Sequence, residues 1–342
     1  MSDGNSVAYH GAPCGHEEAR RAGSIIRHQR PLASFLPASR MMVFDLRKVR
    51  RSIFRFFRTH PGFRTGAALS PAAFWLTIFT LIPMGIVIYY SFLTRGPWGT
   101  IEYTFTLDSY RQIFDPLFLK IFARSFKMAG LTVAICLVAG YLIAYWIAFY
   151  GGRHKNLLLF LVILPFWTSY LVRIYAWITL LSDHGLINNF LVKFQLIDAP
   201  LPLLHNQFSV LTGLVYTYLP FMILPLYASL ERLDRSILEA AADLGATAME
   251  RFYKITLPLT KAGVFSGSVL VFAPAIGEFL VPELLGGAKV MMIGKFIALK
   301  FIGLRHWPLG SAYSLMLLTI ILILLYLYMR AGGGKDAFRE QQ

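Results

Sequence analysis

Charged residues are scarce in this sequence. Asp, Glu, Lys and Arg together make up 15% of its 342 residues, whereas roughly a quarter of the residues of a soluble domain are charged. Hydrophobic residues make up 56%, and the mean hydropathy is +0.56. This composition excludes an ordinary soluble domain and indicates an integral membrane protein.

Cysteine and paired metal ligands are scarce as well. The two cysteines, Cys14 in a polar stretch and Cys136 in an apolar run, exclude a disulfide framework and lack metal-ligand spacing. The eight histidines show no paired spacing on a helix. No nucleophile, base and orienting acid can be assembled from the sequence. We therefore expect no metal or cofactor in this chain, and a membrane-embedded enzyme ranks last among the possible functions.

Acidic residues are outnumbered by basic ones, 18 to 33, which gives a net charge of +15. The basic residues lie beside apolar segments rather than among aromatic residues, so they indicate membrane orientation and not nucleic-acid binding. Residues 1–66 are basic and contain apolar residues at helical spacing between Val43 and Phe57. This segment either lies on an anionic membrane surface or serves only as a topological anchor. We expect a partly disordered cytoplasmic extension there.

Six apolar runs are long enough to cross a bilayer, which requires about 20 residues in helical form. The sequence therefore predicts an all-α, polytopic bundle of six transmembrane helices over residues 67–330, with a short cytoplasmic tail at 331–342. The predicted spans are Ala67–Phe92, Phe126–Tyr150, Leu157–Leu181, Phe208–Leu230, Ala262–Leu285 and Ser311–Met329.

The distribution of Lys and Arg predicts the orientation. Cytoplasmic connections carry the excess of these residues, and most of the 33 fall in the N-terminal region, the second and fourth connections and the C-terminal tail. Both termini and the loop 231–261 are therefore expected in the cytoplasm. Lys289, Lys295, Lys300 and Arg305 depart from this rule, because they fall in the last outer connection.

The loop 231–261 contains EAAADLGATAMERFYKITLP, which runs from Glu239 to Pro258. Ser236 stands three residues before Glu239, which is the spacing of a capping box and predicts a helix start. The alanines that follow favour helix, and Gly245 supplies a left-handed residue that would end it. We expect a compact knob made of a helix, a stop and a second helical turn. An ordinary amphipathic interhelical loop is the alternative interpretation.

The spacing of this loop resembles the signature loop of the permease subunits of bacterial ABC importers of type I. The pattern is Glu-Ala-Ala, three residues, glycine, nine residues, then Ile-x-Leu-Pro. The resemblance implies a coupling helix that docks on a separate ATP-hydrolysing subunit. The residues that it implies for the docking turn are Glu239, Ala240, Ala241 and Gly245, and those that would hold this turn to the bundle are Ile255, Leu257 and Pro258.

A phosphate-binding loop for ATP is missing from the sequence. The nearest candidate, Gly294 with Lys295, is followed by Phe296 and has no glycine five positions earlier. ATP and magnesium are therefore expected on a partner, a dimer of ATP-binding cassette ATPases.

The fifth predicted span contains an acidic residue among helix-breaking residues. Pro274, Gly277 and Pro282 surround Glu278, and ionisable residues at membrane depth indicate a solute pathway. A carboxylate there suits a cationic solute. Alternatively, Glu278 pairs with Arg173 of the third span.

The third predicted span is rich in aromatic residues around Arg173. Their faces can attract ammonium groups, although such rings more often pack helices or form an interfacial belt. Asp183, just outside this span, is either a contact for the solute or an ordinary solvated residue. The pathway candidates of this region are Trp167, Tyr170, Arg173, Tyr175 and Asp183.

The stretches ILPFWTSYLVRIYAW, PAIGEFLVPELLGG, MIGK and HWP, taken with the signature loop, are similar to the permeases of spermidine and putrescine importers. This resemblance implies a multi-pass protein of the bacterial inner membrane. It implies as partners a second, unlike permease chain, two ATPase copies and an extracytoplasmic solute-binding protein. Relatives in this branch carry other small solutes, such as 4-aminobutyrate or opine-like compounds, and these remain alternatives. An ion-coupled secondary transporter with Glu278 as its titrating group is a further hypothesis, but it leaves the signature loop unexplained.

Overall fold

The computed structural model describes residues 61–330, and these are mostly helical. The expectations for the basic segment up to residue 60 and for the tail from residue 331 lie outside the described residues. The chain divides between Pro71 and Ala72, and every site below lies in the second unit.

The first half of the described chain begins with α1 (Pro61–Leu76), a π-helical turn (Thr77–Leu81) and α2 (Ile82–Ser91). An antiparallel hairpin follows, with β1 (Leu93–Arg95) and β2 (Ile101–Phe105) joined through a 3-10 turn at Pro97–Gly99. The next elements are α3 (Asp108–Arg111), a 3-10 turn (Gln112–Phe114), α4 (Pro116–Tyr150), a 3-10 turn (Gly152–His154), α5 (Lys155–Ile163), a 3-10 turn (Leu164–Trp167), α6 (Tyr170–Leu181) and α7 (Leu186–Lys193).

The second half begins with α8 (Gln207–Glu231), α9 (Arg235–Asp243), α10 (Ala248–Arg251), a π-helical turn (Phe252–Thr256) and α11 (Leu257–Leu259). It continues with α12 (Lys261–Gly277), α13 (Leu280–Leu284), a 3-10 turn (Gly287–Lys289), α14 (Ile293–Ala298), a π-helical turn (Leu299–Gly303) and α15 (Trp307–Tyr328).

Among the described residues, four helices are long and apolar enough to cross a membrane: Leu69–Ser91, Pro116–Tyr150, Gln207–Glu231 and Trp307–Leu327. Two bent pairs of helices, Gly152–Trp167 with Tyr170–Lys193 and Ala248–Leu259 with Lys261–Gly277, raise the number to six if each pair forms one span. The polytopic helical class predicted from the sequence is confirmed.

The prediction of one continuous third span at Leu157–Leu181 is wrong. The chain turns by 91° between the two helices of this region. Pro165 has no N–H to donate to a helix, the backbone tightens into a 3-10 turn there, and Thr168 and Ser169 adopt extended ψ angles of 150° and 135°. Hydropathy measures the length of an apolar segment and does not detect a change in the direction of its backbone.

The core lies where α4, α8 and α12 pack together. Gly140 of α4 and Gly267 of α12 both face Met222 of α8, and a Cβ at Gly267 would lie 2.7 Å from its sulfur. Small residues allow helix backbones to approach closely in this way. The three helices therefore form a closely packed frame.

Contacts at the ends of α4 show which loops share an end of the bundle. Phe118, near the start of α4, stacks on Tyr313 of α15 at 4.3 Å. Arg235, the first residue of α9, contacts the carbonyl oxygen of Ala148 near the end of α4. The loop 231–261 and the start of α15 therefore lie at opposite ends of the bundle. His306 caps α15, because its Nδ1 accepts a hydrogen bond from the N–H of Leu309 at 3.3 Å.

Candidate functional site

The N-cap of α9 is Asp234, two residues before the predicted Ser236. The predicted capping box of Ser236 and Glu239 is wrong, because the carboxylate of Asp234 accepts a hydrogen bond from the N–H of Ser236 at 2.9 Å. An ionised carboxylate with an extended backbone competes well for this position, and Ser236 becomes an interior residue. The same backbone hydrogen bond lowers the pKa of Asp234.

The end of α9 agrees with its prediction. Gly245 has a φ of +84°, and it donates its N–H to the carbonyl oxygen of Ala242 at 2.9 Å while Ala246 donates to that of Ala241 at 3.0 Å. This is the hydrogen-bond pattern of a Schellman motif. A side chain at Gly245 would meet nothing within 4 Å, so the backbone conformation alone favours glycine there.

A true capping box follows directly. Thr247 and Glu250 satisfy each other's backbone N–H groups at the start of α10, at 3.0 and 3.3 Å. The chain then continues through the π-helical turn to α11 and bends by 65° into α12. A hydrogen bond of 2.8 Å between the hydroxyls of Tyr141 and Thr260 ties this bend to α4.

The loop exposes apolar side chains around its docking turn. Leu244 is 89% exposed and Met249 is 65% exposed. The turn therefore presents apolar surface close to Gly245. Of the residues implied by the resemblance, Glu239, Ala240, Gly245 and Pro258 are exposed, Ala241, Ile255 and Leu257 are half-buried, and Leu257 packs against the core.

Glu278 lies at a break in the fifth apolar segment. The helix α12 ends at Gly277, and α13 begins at Leu280. One oxygen of the Glu278 carboxylate accepts hydrogen bonds from the N–H groups of Phe279 and Leu280, both at 3.0 Å. The other accepts from the hydroxyl of Tyr218 at 2.7 Å. The carboxylate is therefore held by backbone and by a buried hydroxyl.

Arg173 lies on α6 without an ion pair to Glu278 among the residues that the structure describes. Its guanidinium lies 5.2 Å from the ring centre of Phe166 and 5.5 Å from that of Tyr170. Its Nε atom and the hydroxyl of Tyr170 are buried without a hydrogen-bond partner. Ring faces thus stabilise this cation in place of a carboxylate.

The structure brings only some of the pathway candidates together. Tyr170 is close enough to Glu278, Tyr218 and Arg173 to interact with them electrostatically. The remaining candidates, Trp167, Tyr175 and Asp183, are exposed.

Sequence reasoning missed three residues around the break. Tyr218 is an ordinary aromatic residue of the fourth span, so no signal pointed to it. Lys295, a departure from the charge rule, is only 7% exposed and pairs with Glu283 at 3.2 Å while donating to the carbonyl oxygen of Gly287. Gly294 packs so closely that a Cβ would overlap the carbonyl oxygens of Gly277 and Glu278.

Comparison with known proteins supplies the family. Residues 137–331, more than half of the chain, match the family described as binding-protein-dependent transport system inner membrane component. The spermidine/putrescine transport system permease protein PotB of Haemophilus influenzae is 43% identical over 257 residues, which are 75% of this chain and 90% of that protein. PotB of Escherichia coli K12 is 42% identical over 75% of this chain and 94% of its own length.

A more distant relative and two solved structures are also similar to this chain. The inner membrane ABC transporter permease protein YdcU of Escherichia coli K12 is 33% identical over 82% of this chain and 94% of that protein. A bacterial ABC transporter that imports the acidic polysaccharide alginate has a chain with a TM-score of 0.63 at 18% identity, over 82% of this chain and 99% of that one. A bacterial alginate ABC transporter in complex with alginate pentasaccharide-bound periplasmic protein has a chain with a TM-score of 0.64 at 18% identity, over 84% of this chain and 96% of that one.

These relatives are permease subunits, which are components of transport systems and not enzymes. The extent of the family match and the identity to PotB over most of both chains are sufficient for assignment. The chain belongs to the inner membrane components of binding-protein-dependent transport systems.

Proposed function

We propose that this chain is a permease subunit of a polyamine importer in the bacterial inner membrane. The observation that carries the proposal is the docking turn, an exposed helix that ends in a Schellman motif at Gly245 with Leu244 uncovered beside it. The names of the relatives, spermidine/putrescine permeases at 42 and 43% identity, support polyamines as the solute class.

The proposed topology has six spans, with each bent pair counted as one, and both termini in the cytoplasm. The two ends of the bundle support it, because α9 lies at the same end as the cationic connection around Arg153 and Lys155. An ion pair of 3.0 Å between Lys155 and Glu231 joins that connection to the start of the loop. The positive-inside rule favours the cytoplasm for this end.

The proposed assembly contains two copies of an ATPase, a second permease chain and an extracytoplasmic solute-binding protein. ATP and magnesium bind the ATPase and not this chain. The family description, which names dependence on a binding protein, supports the last of these partners. The exposed apolar side chains of the docking turn support the first, since a protein partner would cover them.

Transport proceeds by alternating access in this proposal. Closure of the ATPase pair moves the docking turn, and the movement opens a path that passes the break at Glu278. Tyr218 and the two backbone N–H groups orient this carboxylate, whose oxygens suit an ammonium group. Tyr170 supplies a neighbouring aromatic face.

Reconstitution in proteoliposomes tests the function. The chain is combined with its second permease, ATPase and binding protein, and uptake of labelled putrescine, spermidine and 4-aminobutyrate is followed with ATP inside the vesicles. We expect uptake of a polyamine that requires ATP and survives collapse of the proton gradient. Uptake without the ATPase that stops with the gradient contradicts the importer, and uptake of 4-aminobutyrate alone contradicts the polyamine assignment.

A further inference from the structure

Arg235 joins the docking helix α9 to the end of α4. Its Nη2 donates hydrogen bonds to the carbonyl oxygens of Ala148 at 3.0 Å and Phe149 at 3.4 Å, and its guanidinium lies 5.5 Å from the ring centre of Phe149. Carbonyl groups in the last turn of a helix have no partner within it and carry partial negative charge. One cation therefore fixes the first residue of α9 to α4.

The opposite end of α9 is exposed. Leu244, which follows its last residue, is 89% exposed, and a helix of 9 residues is about 13 Å long at 1.5 Å per residue. Near its middle, the Nη1 of Arg251 in α10 lies 3.4 Å from the carbonyl oxygen of Leu238. A force on the exposed end therefore acts on α4 through Arg235.

The helix α4 reaches the break at Glu278. Ser125 lies about 35 Å from Ala148 along the helix, and its hydroxyl accepts a hydrogen bond from the N–H of Ile293 at 2.7 Å. The next residue, Gly294, is packed against the carbonyl oxygens of Gly277 and Glu278. A displacement of α4 therefore acts on the segment that holds the carboxylate.

We infer that Arg235 and Ser125 are positioning residues at the two ends of α4, which transmits the movement of the docking turn to the Glu278 break. The inference rests on the proposed function. Packing of α4 against α8 and α12 keeps the helix rigid, and a rigid element with a specific contact at each end can carry coupling between distant sites.

The test measures how many ATP molecules are hydrolysed per polyamine imported by the complete reconstituted importer. We expect Arg235→Ala to raise this ratio several-fold while the ATPase still copurifies, because the turn docks but no longer moves α4. Arg235→Lys should restore part of the coupling, since its ammonium can donate to one carbonyl oxygen. Ser125→Ala should raise the ratio as well.

Two matched variants separate coupling from loss of stability. Lys254→Ala removes a cation from the same loop, where Lys254 pairs with Glu250 of α10 at 3.0 Å. Thr132→Ala removes a buried hydroxyl of α4 whose hydrogen bond of 2.9 Å stays within the helix. Both should keep the wild-type ratio, even if Thr132→Ala lowers the melting temperature.

The double variant Arg235→Ala, Ser125→Ala decides the route. If both contacts lie on one route, the double variant should hydrolyse no more ATP per polyamine imported than the single variant with the higher ratio. Independent, multiplying effects, or wild-type ratios in both single variants, overturn the inference. ATP-independent uptake by the wild-type importer instead overturns the proposed function.

Discussion

Replacement of Gly245 tests the docking turn through its backbone alone. The φ of +84° is one that side chains bearing a Cβ rarely adopt, yet no atom lies within 4 Å of where that Cβ would stand. The cost of Gly245→Ala is therefore torsional, about 1–2 kcal/mol, and Gly245→Val should cost more because a β-branched residue is a stronger outlier there.

This cost falls on the Schellman motif and not on the bundle. A penalty of about 1–2 kcal/mol lowers the ratio of capped to uncapped turn by about 5- to 30-fold. We expect ATP-dependent uptake in proteoliposomes to fall in the order glycine, alanine, valine. Membrane insertion should be unaffected. Amide hydrogen exchange should accelerate at positions 245 and 246, whose N–H groups donate the capping hydrogen bonds.

Gly130 of α4 is the matched control, because it also has nothing within 4 Å of an added Cβ but lacks a positive φ. Gly130→Ala should leave uptake unchanged and slightly stabilise the helix. Wild-type uptake and wild-type exchange in Gly245→Val would refute the reasoning, since the strained conformation would then have no role in docking.

Three other perturbations have defined outcomes. Glu278→Gln should reduce polyamine uptake more than Tyr218→Phe. The second variant removes one hydrogen bond of about 1.5–3 kcal/mol but keeps the charge of the Glu278 carboxylate. Equal uptake in both variants would exclude a role for that charge. Glu283→Gln should lower thermal stability more than Lys295→Met, since the first leaves a buried ammonium without its carboxylate, and a melting comparison of the two checks this. Burial, followed by the charges of Arg95 and Lys300, lowers the pKa of His306. The stability that His306 contributes is therefore present above pH 6.5 and is lost as the pH falls through the lowered value. A pH series of melting temperatures should show less acid sensitivity in His306→Asn than in the wild type.

Local sequence patterns predicted the end of α9 but not its start. Gly245 could be predicted because only glycine readily ends a helix in the left-handed region. The start of the same helix could not, because the sequence offers the capping-box spacing twice, at Ser236 with Glu239 and at Thr247 with Glu250, and only the second pair forms. Asp234 outcompetes the first pair, and that competition depends on backbone angles that the spacing does not encode.

The apolar segments show a different limit. Their existence follows from length and hydropathy, whereas the 91° turn after Pro165 comes from the backbone conformation of Thr168 and Ser169, which mean hydropathy does not encode. The hydroxyl that holds Glu278 comes from Tyr218, 60 residues away in the sequence. Local sequence patterns cannot predict a contact between an acid and an aromatic residue that are so far apart in the chain.

Glu278 and Arg173 meet the cost of leaving water in separate ways. The carboxylate accepts hydrogen bonds from two backbone N–H groups and one hydroxyl, while the guanidinium lies against two rings. Had they formed a buried ion pair, loss of either partner would strand the other at a cost of several kcal/mol, and the break would be locked to α6. Because neither depends on the other, the segment around Glu278 can shift relative to α6 without breaking an ion pair, as the proposed alternating-access movement at this break requires.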